Sequence, residues 1–223
     1  MKYWYVDIRV NENTVVAFDL DDTLYNELDF LKSAYVEISK NLEPRDWKPL
    51  FVYLFSLYRS GMDVFKIISA SYDLSKEELI QQYREHVPTI HPFKGVKEVF
   101  KKIKEQNGKI GIITDGRKTT QMQKIKALGL LSMIDKIVVS EEIGSEKPND
   151  KNFRIIEEMI VLGNYYYVAD NVEKDFITPN KLGWKTIGLM DNGLNIHHNA
   201  YLFQNKLFNP HVLISSFDEV RVI

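Results

Sequence analysis

Cysteine is absent from the chain, which excludes disulfide bonds and thiolate metal sites. An excess of one charge is also missing, because 29 Lys and Arg residues stand against 31 Asp and Glu residues, a formal net charge of −2. This balance gives no electrostatic support to a nucleic-acid partner or an acidic membrane surface. The longest uncharged, mainly apolar run, residues 51–58, is far shorter than the about 20 residues of a membrane span.

The first seven residues contain no apolar segment of signal-peptide type, so a soluble cytoplasmic protein is expected. Hydrophobic residues make up 44% of the 223 residues, enough to build a substantial core. This length fits one large domain, or a core with a smaller insertion.

Short apolar runs alternate with amphipathic helical patterns through most of the chain. Because such alternation favours a parallel sheet with right-handed crossovers, we predict an α/β fold of the doubly wound, Rossmann-like type. The predicted strands of this sheet cover residues 14–19, 109–114, 136–140, 165–169, 185–189 and 212–215.

A block with helical periodicity interrupts this alternation after the first strand of the series. Apolar residues step by three and four from Leu28 to Leu42, and Ser75 with Glu78 forms a capping box that opens the last of four predicted helices. We therefore predict an α/β core made of residues 1–24 and 90–223, with a helical cap of residues 25–89 over the sheet edge.

A further strand is predicted at the amino terminus, where Tyr3 to Val10 alternates between apolar and polar residues with Trp4, Val6 and Ile8 on one face. The turn residues 11–13 that follow predict antiparallel pairing with the strand at 14–19. An exposed edge there could also pair with a second chain, so both a monomer and a homodimer stay open.

Polar residues suited to phosphate chemistry follow the apolar runs. Asp19 and Asp21 come directly after a buried strand, so both acids lie at its carboxyl end, where open α/β sheets bind ligands. Two converging carboxylates need a counter-charge, and Mg²⁺ prefers carboxylate and water oxygen. The other segments are Ile112-Ile113-Thr114-Asp115-Gly116, Glu146-Lys147-Pro148, and Val168-Ala169-Asp170-Asn171 with Asp175 beyond it.

In this order, the four segments resemble the motifs of the haloacid dehalogenase-like (HAD) superfamily, in its phosphatase branch. The family pattern is a strand with D-x-D-x-T, a strand with Ser or Thr, a Lys-Pro pair, and a strand with G-D-x-x-x-x-D. The resemblance covers nearly the whole chain. Two positions depart from the pattern: Ala169 replaces the usual Gly, and Lys174 stands where some relatives carry Asn.

The resemblance implies a role for each matched position. Asp19 would be the nucleophile and Asp21 the general acid and then base. Mg²⁺ would be held by a side-chain oxygen of Asp19, the backbone carbonyl of Asp21 and the carboxylate of Asp170. The phosphoryl group would be bound by Thr114, the N–H of Asp115 and Lys147, with Asp175 in a supporting role.

Physical chemistry favours those residue types. Hydrolysis of phosphate monoesters is accelerated by enzymes up to about 10²¹-fold, whereas one general acid or base contributes about 10² to 10⁴. A covalent carboxylate intermediate and a metal supply the remainder.

The sequence therefore predicts Mg²⁺-dependent hydrolysis of a small phosphomonoester, such as a sugar phosphate or a nucleotide. A phosphotransferase or phosphomutase with the same intermediate, and a non-catalytic binding protein, stay open as alternatives. Arg117 is a further candidate for contact with the leaving group, and His197-His198 is expected to be a loop pair without a role.

Overall fold

A computed structural model describes residues 5–198, 200–202 and 208–223 of the chain. The chain divides into two compact units, one formed by Met1–Glu27 with His91–Ile223 and the other by Leu28–Ile90. Among the described helices, none has the length and apolar character that crossing a bilayer requires.

The first unit is built on a six-stranded sheet in which every neighbouring pair is parallel and the order is β4-β3-β2-β5-β6-β7. The strands are β2 (Thr14–Phe18), β3 (Lys109–Thr114), β4 (Lys136–Val139), β5 (Asn164–Ala169), β6 (Lys185–Leu189) and β7 (Val212–Ile214). The chain builds outward from β2 on one side and then on the other, so the strand order reverses at the β2–β5 pair. The predicted α/β, doubly wound sheet is confirmed, and the reversal marks the ligand-binding crevice of such folds.

Helices pack against this sheet through the residues that they bury. They are α5 (Val96–Glu105), α6 (Lys118–Ala127), α7 (Ser140–Ile143), α8 (Asp150–Glu157) and α9 (Ile177–Lys181). Phe153 and Ile156 of α8 are fully buried in the core that also contains Ile113. Gly111 in β3 permits this close packing, because a Cβ there would lie 2.7 Å from Cδ1 of Ile156.

The predicted antiparallel pairing of the amino-terminal strand is wrong. Strand β1 (Val6–Ile8) pairs in parallel with β8 (Val220–Val222) in a separate two-stranded sheet. The reason is that β2 is buried along its whole length and both of its edges are taken by β3 and β5. Of the predicted strand, Tyr3 and Trp4 lie outside the described residues.

The second unit is helical. Its helices are α1 (Glu27–Leu42), α2 (Trp47–Arg59), α3 (Val64–Ser69) and α4 (Lys76–Glu85). The first residue of α1, Glu27, still belongs to the first unit. Its buried residues form a core of their own that includes Tyr35, Leu54, Ile68 and Leu79. Ser75 and Glu78 form the predicted capping box at the start of α4, with both reciprocal hydrogen bonds present. The role of this unit as a cap stays a prediction.

Candidate active site at the carboxyl edge of the sheet

The candidate site is assembled by three adjacent strands that end at the same edge. Asp19 follows β2 and Asp170 follows β5, and the register Phe18↔Val168 sets Asp19 opposite the residue just before Asp170. Thr114 closes β3 on the other side of β2. A cavity of about 150 Å³ lies at this edge. Its lining consists of Asp19, Asp21, Asp22, Glu27, Thr114, Asp115, Asp170, Asn171, Lys174 and His197.

Asp19, the predicted nucleophile, is 6% exposed and lies against a buried lysine. Its Oδ1 is 2.5 Å from Nζ of Lys147, and its Oδ2 accepts a hydrogen bond of 3.3 Å from the Thr23 hydroxyl. Burial raises the pKa of Asp19 to about 6, against the opposing effect of Lys147, and the negative charge of Asp175 adds to the rise. The Lys147 ammonium is therefore the main group that favours the anionic, nucleophilic form, and the charge of Lys174 acts in the same direction.

Lys147 lies behind Asp19 in a fully enclosed environment. Its Nζ is 2.7 Å from Oδ1 of Asp175 and 3.3 Å from the hydroxyl of Tyr167. Burial alone would lower the pKa of Lys147, but the carboxylates of Asp175 and Asp19 outweigh burial and raise it well above its ordinary value. The lysine thus carries its charge, and Asp175 is placed to orient it.

Asp170 occupies a strongly negative environment. Burial, followed by the carboxylates of Asp19, Asp175 and Asp22, raises its pKa well above the ordinary value. Its Oδ1 lies 2.9 Å from the Thr23 hydroxyl, whose single hydrogen is shared between Asp170 and the more distant Asp19 oxygen.

Carboxylate oxygens of Asp19, Asp170 and Asp175 lie within 4.8 Å of one another. Hard oxygen donors and an excess of negative charge suit a Mg²⁺ ion, so the donor set fits the predicted cofactor. Because Asp175 is also the close partner of Lys147, Asp19 and Asp170 are the stronger candidates for ligands.

The carboxylate of Asp21 is directed toward α6 instead of toward this acidic group. Oδ1 is 2.7 Å from Nζ of Lys124 and also accepts a short hydrogen bond from the Tyr25 hydroxyl, while Oδ2 accepts from Nε2 of Gln121 at 2.9 Å. Burial raises the pKa of Asp21, but Lys124 and these hydrogen bonds outweigh it, and the net pKa is lowered. In this arrangement Asp21 is a carboxylate, the form of a general base.

The predicted phosphate-binding residues Thr114 and Asp115 both line the cavity. Thr114 is 1% exposed, and its hydroxyl accepts a hydrogen bond of 2.6 Å from Gln121. The Asp115 carboxylate accepts from the backbone N–H of Lys147 at 3.1 Å and from Nζ of Lys174 at 2.8 Å. Asp115 therefore connects the loop that carries Lys147 to the loop that follows β5.

Two further predictions concern positions near the site. The side chain of Arg117 is 58% exposed and lies 3.9 Å from Glu141, beside a neighbouring open cavity that Ser140 also lines. His197, expected to have no role, lines the candidate site.

Several residues of the site were not found from the sequence. Gln121 and Lys124 belong to helix α6, and Lys174 belongs to the position where the sequence departs from the family pattern. Glu27 lies 3.9 Å from Lys124, and burial together with the Asp21 charge raises its pKa to about 8. The available signal was the three-residue spacing of Gln121 and Lys124, which places two polar side chains on the same face of a helix as the apolar Ile125.

The chain is similar to known proteins in both sequence and fold. The family model described as haloacid dehalogenase-like hydrolase matches residues 16–189. The chain is 27% identical over 191 residues to the glyceraldehyde 3-phosphate phosphatase of Methanocaldococcus jannaschii, covering 78% of this chain and 84% of that protein. It is 29% identical over 218 residues to the pyrophosphatase PpaX of Halalkalibacterium halodurans, covering 94% and 95%.

Among solved structures, the HAD-hydrolase YfnB from Bacillus subtilis, bound to magnesium, is similar with a TM-score of 0.64 and 19% identity. The match covers 95% of this chain and 97% of that one, and at this identity it shows the fold. The fold and the site thus define a hydrolase of the HAD type, built on a Rossmann-like core. The chain belongs to the family of haloacid dehalogenase-like hydrolases. The predicted enzyme class, a phosphatase of this family, is confirmed, whereas the metal and the substrate stay predictions.

Proposed function

We propose that the protein is a Mg²⁺-dependent phosphatase that hydrolyses a small phosphomonoester through an aspartyl-phosphate intermediate. The observation that carries this proposal is the buried contact of 2.5 Å between Asp19 and Lys147, next to Asp170 and in one cavity with Thr114. A carboxylate that is buried beside a cation, yet faces a cavity, is suited to nucleophilic attack.

In the first half of the reaction, an Asp19 oxygen forms a bond to phosphorus while the bond from phosphorus to the leaving oxygen breaks. Asp21 donates the proton that the leaving oxygen needs. The lowered pKa of Asp21 opposes this protonated form, but an incoming phosphate favours it, because a nearby negative charge raises the pKa of a carboxyl group.

In the second half, water attacks the phosphorus of the aspartyl-phosphate and Asp21 accepts its proton. The products are inorganic phosphate and the free Asp19 carboxylate. Through both halves Thr114 and the N–H of Asp115 bind phosphoryl oxygens, and Lys147 neutralises charge on the nucleophile and the phosphate. Fixed donors and charges of this kind stabilise the transition state because they need no reorganisation during the reaction.

Mg²⁺ would be held by Asp19, Asp170 and the backbone carbonyl of Asp21, where it would reduce the repulsion between an anionic nucleophile and an anionic phosphate. The surplus of carboxylates in the cavity supports this assignment. The two curated relatives named above act, by their names, on a sugar-type phosphate and on pyrophosphate, which supports a small phosphorylated metabolite as the substrate.

The direct test is a phosphate-release assay over a panel of sugar phosphates, nucleoside monophosphates and an aryl phosphate, with Mg²⁺ and with a chelator. We expect Asp19→Asn to lower kcat by roughly 10³-fold or more, because the amide cannot form the intermediate. The variant should stay folded, since Lys147 keeps its contact with Asp175.

Asp46→Asn is a matched control, because Asp46 is exposed in the helical unit and its side chain makes no capping hydrogen bond. Unchanged turnover in Asp19→Asn would contradict the nucleophile assignment. A phosphorylated isomer in place of inorganic phosphate would identify a mutase, and failure across the whole panel would favour a binding protein.

A further inference from the structure

Gln121 is a buried polar residue that the mechanism above does not use. It is 2% exposed, and its Nε2 lies 2.9 Å from Oδ2 of Asp21, 2.6 Å from the Thr114 hydroxyl and 2.8 Å from the backbone oxygen of Asp115. An amide nitrogen has two hydrogens, so these three acceptors share them. One side chain thus links the proposed general acid to both residues proposed to bind phosphate.

Lys124 lies one helical turn further along α6, on the same face. Its side chain is 5% exposed, and Nζ is 2.7 Å from Oδ1 of Asp21. Each oxygen of the Asp21 carboxylate therefore receives a donor from α6, Oδ2 from Gln121 and Oδ1 from Lys124. Burying an amide and an ammonium is costly unless they are paired, so their placement on one face of a helix indicates a function beyond packing.

We propose that Gln121 is a positioning residue that holds the Asp21 carboxyl at a fixed distance from the phosphate-binding Thr114. Lys124 fixes the second oxygen of Asp21. The inference rests on the proposed phosphatase function and adds a residue to it. An acid must reach the leaving oxygen of a phosphoryl group whose other oxygens are bound elsewhere. A side chain that links Asp21 to the phosphate-binding Thr114 fixes the distance between the acid and the bound phosphate before the reaction begins. This is how positioning contributes to rate.

A positioning role for Asp21 has a kinetic signature that a structural role lacks. Phosphoryl transfer to Asp19 needs proton donation when the leaving group is basic and needs little when the leaving group is a stable anion. The value of kcat/KM reports the steps up to formation of the phosphoenzyme. A misplaced Asp21 should therefore lower kcat/KM most for the most basic leaving group.

The experiment compares 2,4-dinitrophenyl, 4-nitrophenyl and phenyl phosphate, which share an aryl phosphate framework and differ strongly in the basicity of the leaving group. Gln121→Met keeps length and helix propensity but removes the donor. We expect kcat/KM to fall about 10-fold or more for phenyl phosphate and less than about 3-fold for the dinitrophenyl ester, a fraction of the 10² to 10⁴ that a general acid supplies.

Gln121→Leu is the second variant, since it also removes the donor and adds no charge beside the bound phosphate. It should show the same steepened dependence, so the test does not depend on the stability of Gln121→Met alone. Lys124→Met and Lys126→Met form a matched pair on α6, because Lys126 is exposed. The first should share the selective loss and the second should behave as wild type.

Equal losses across the three esters in the Gln121 variants would overturn the inference while leaving the phosphatase proposal intact. Wild-type protein that hydrolyses none of the three esters, nor any member of the metabolite panel, would overturn the phosphatase proposal itself and this inference with it. Thermal denaturation followed by circular dichroism establishes that each variant is folded before kinetics are compared.

Discussion

At the scale of single residues, Asp22 shows how an acid next to the proposed catalytic pair serves the backbone. It is 3% exposed and has a φ of 56°, a left-handed conformation that aspartate tolerates better than most residues. Its two oxygens accept hydrogen bonds of 2.8 Å from the backbone N–H groups of Glu27 and Ile196. Asp22 therefore fixes the start of α1 and the loop that carries His197 into the cavity.

We expect Asp22→Ala to lower the free energy of unfolding by about 2 to 4 kcal/mol, because two backbone N–H groups lose an acceptor and alanine is strained at positive φ. Asp22→Gly should lose less than Asp22→Ala, since glycine adopts this φ freely. Urea denaturation of the three proteins measures the differences. Equal stability of the alanine variant and the wild type would show that neither hydrogen bond contributes.

Most of the site residues found from the sequence close or follow a strand, whereas Lys147 and Asp175 were found through the family resemblance. The resemblance predicted that Asp19 and Asp170 hold the same metal ion, a role that stays a prediction, and the structure brings their carboxylate oxygens within 4.8 Å of one another. Gln121 could not be found in this way, because its contact with Asp21 joins residues 100 positions apart through a helix side chain. A polar residue on a helix is usually exposed, and only the packing of α6 shows that this one is buried.

At the scale of elements, Asp135 joins helix α5 to strand β3 of the sheet. Its carboxylate accepts from Nζ of Lys104 in α5 at 2.7 Å and from the backbone N–H of Ile110 in β3 at 2.8 Å. Burial raises the pKa of Asp135, but the hydrogen bonds from Lys104 and Ile110, with the charge of Lys104, outweigh it and lower the pKa below its usual value. Asp135 thus stabilises the fold in its charged form.

We expect Asp135→Asn to cost about 0.5 to 1 kcal/mol at pH 7, a small value because the pair is partly exposed and screened. Since the folded-state pKa is depressed, this contribution is fully present above the unfolded value of about 3.9 and is lost as the pH falls through the lower, folded-state pKa. Urea denaturation at pH 7 and pH 3 should show a difference from wild type that is smaller at the lower pH. Exposed Asp73→Asn is the control, and a difference that grows at pH 3 would contradict the sign.

Elements with a strong periodic pattern were predicted well, and those defined by long-range pairing were not. Strands β3 and β6 have their predicted bounds, because each is a short apolar run between turn residues. The predicted partner of β1 was wrong. The local pattern of Val6–Ile8 contains no information about its actual partner, the strand Val220–Val222 at the other end of the chain. Pairing of that kind is decided by which edges the central sheet leaves free.

At the scale of the whole molecule, a nearly neutral chain concentrates negative charge in one cavity. The formal net charge is −2, yet the cavity is lined by carboxylates of Asp19, Asp21, Asp22, Glu27, Asp115 and Asp170, with Lys174 among them. The raised pKa of Asp170, caused by burial and by its acidic neighbours, means that the charged form of Asp170 destabilises the folded protein when no counter-ion is present.

Mg²⁺ should therefore stabilise the whole protein. A ligand that binds only the folded state adds about 2.7 kcal/mol at 100 times its Kd, and 1 kcal/mol corresponds to about 2 to 4 °C for a chain of this size. We expect saturating Mg²⁺ to raise the apparent Tm by about 5 to 10 °C.

Asp170→Asn should lose most of this Mg²⁺ shift and should be no less stable than wild type when a chelator is present, because it removes one of the repelling charges. Asp29→Asn changes a partly exposed aspartate of the helical unit and should keep the full shift. Scanning calorimetry with Mg²⁺ and with chelator decides the matter: an unchanged Mg²⁺ shift in Asp170→Asn would show that the ion binds elsewhere. A large loss of stability in that variant under chelator would show that Asp170 stabilises the fold as a charge.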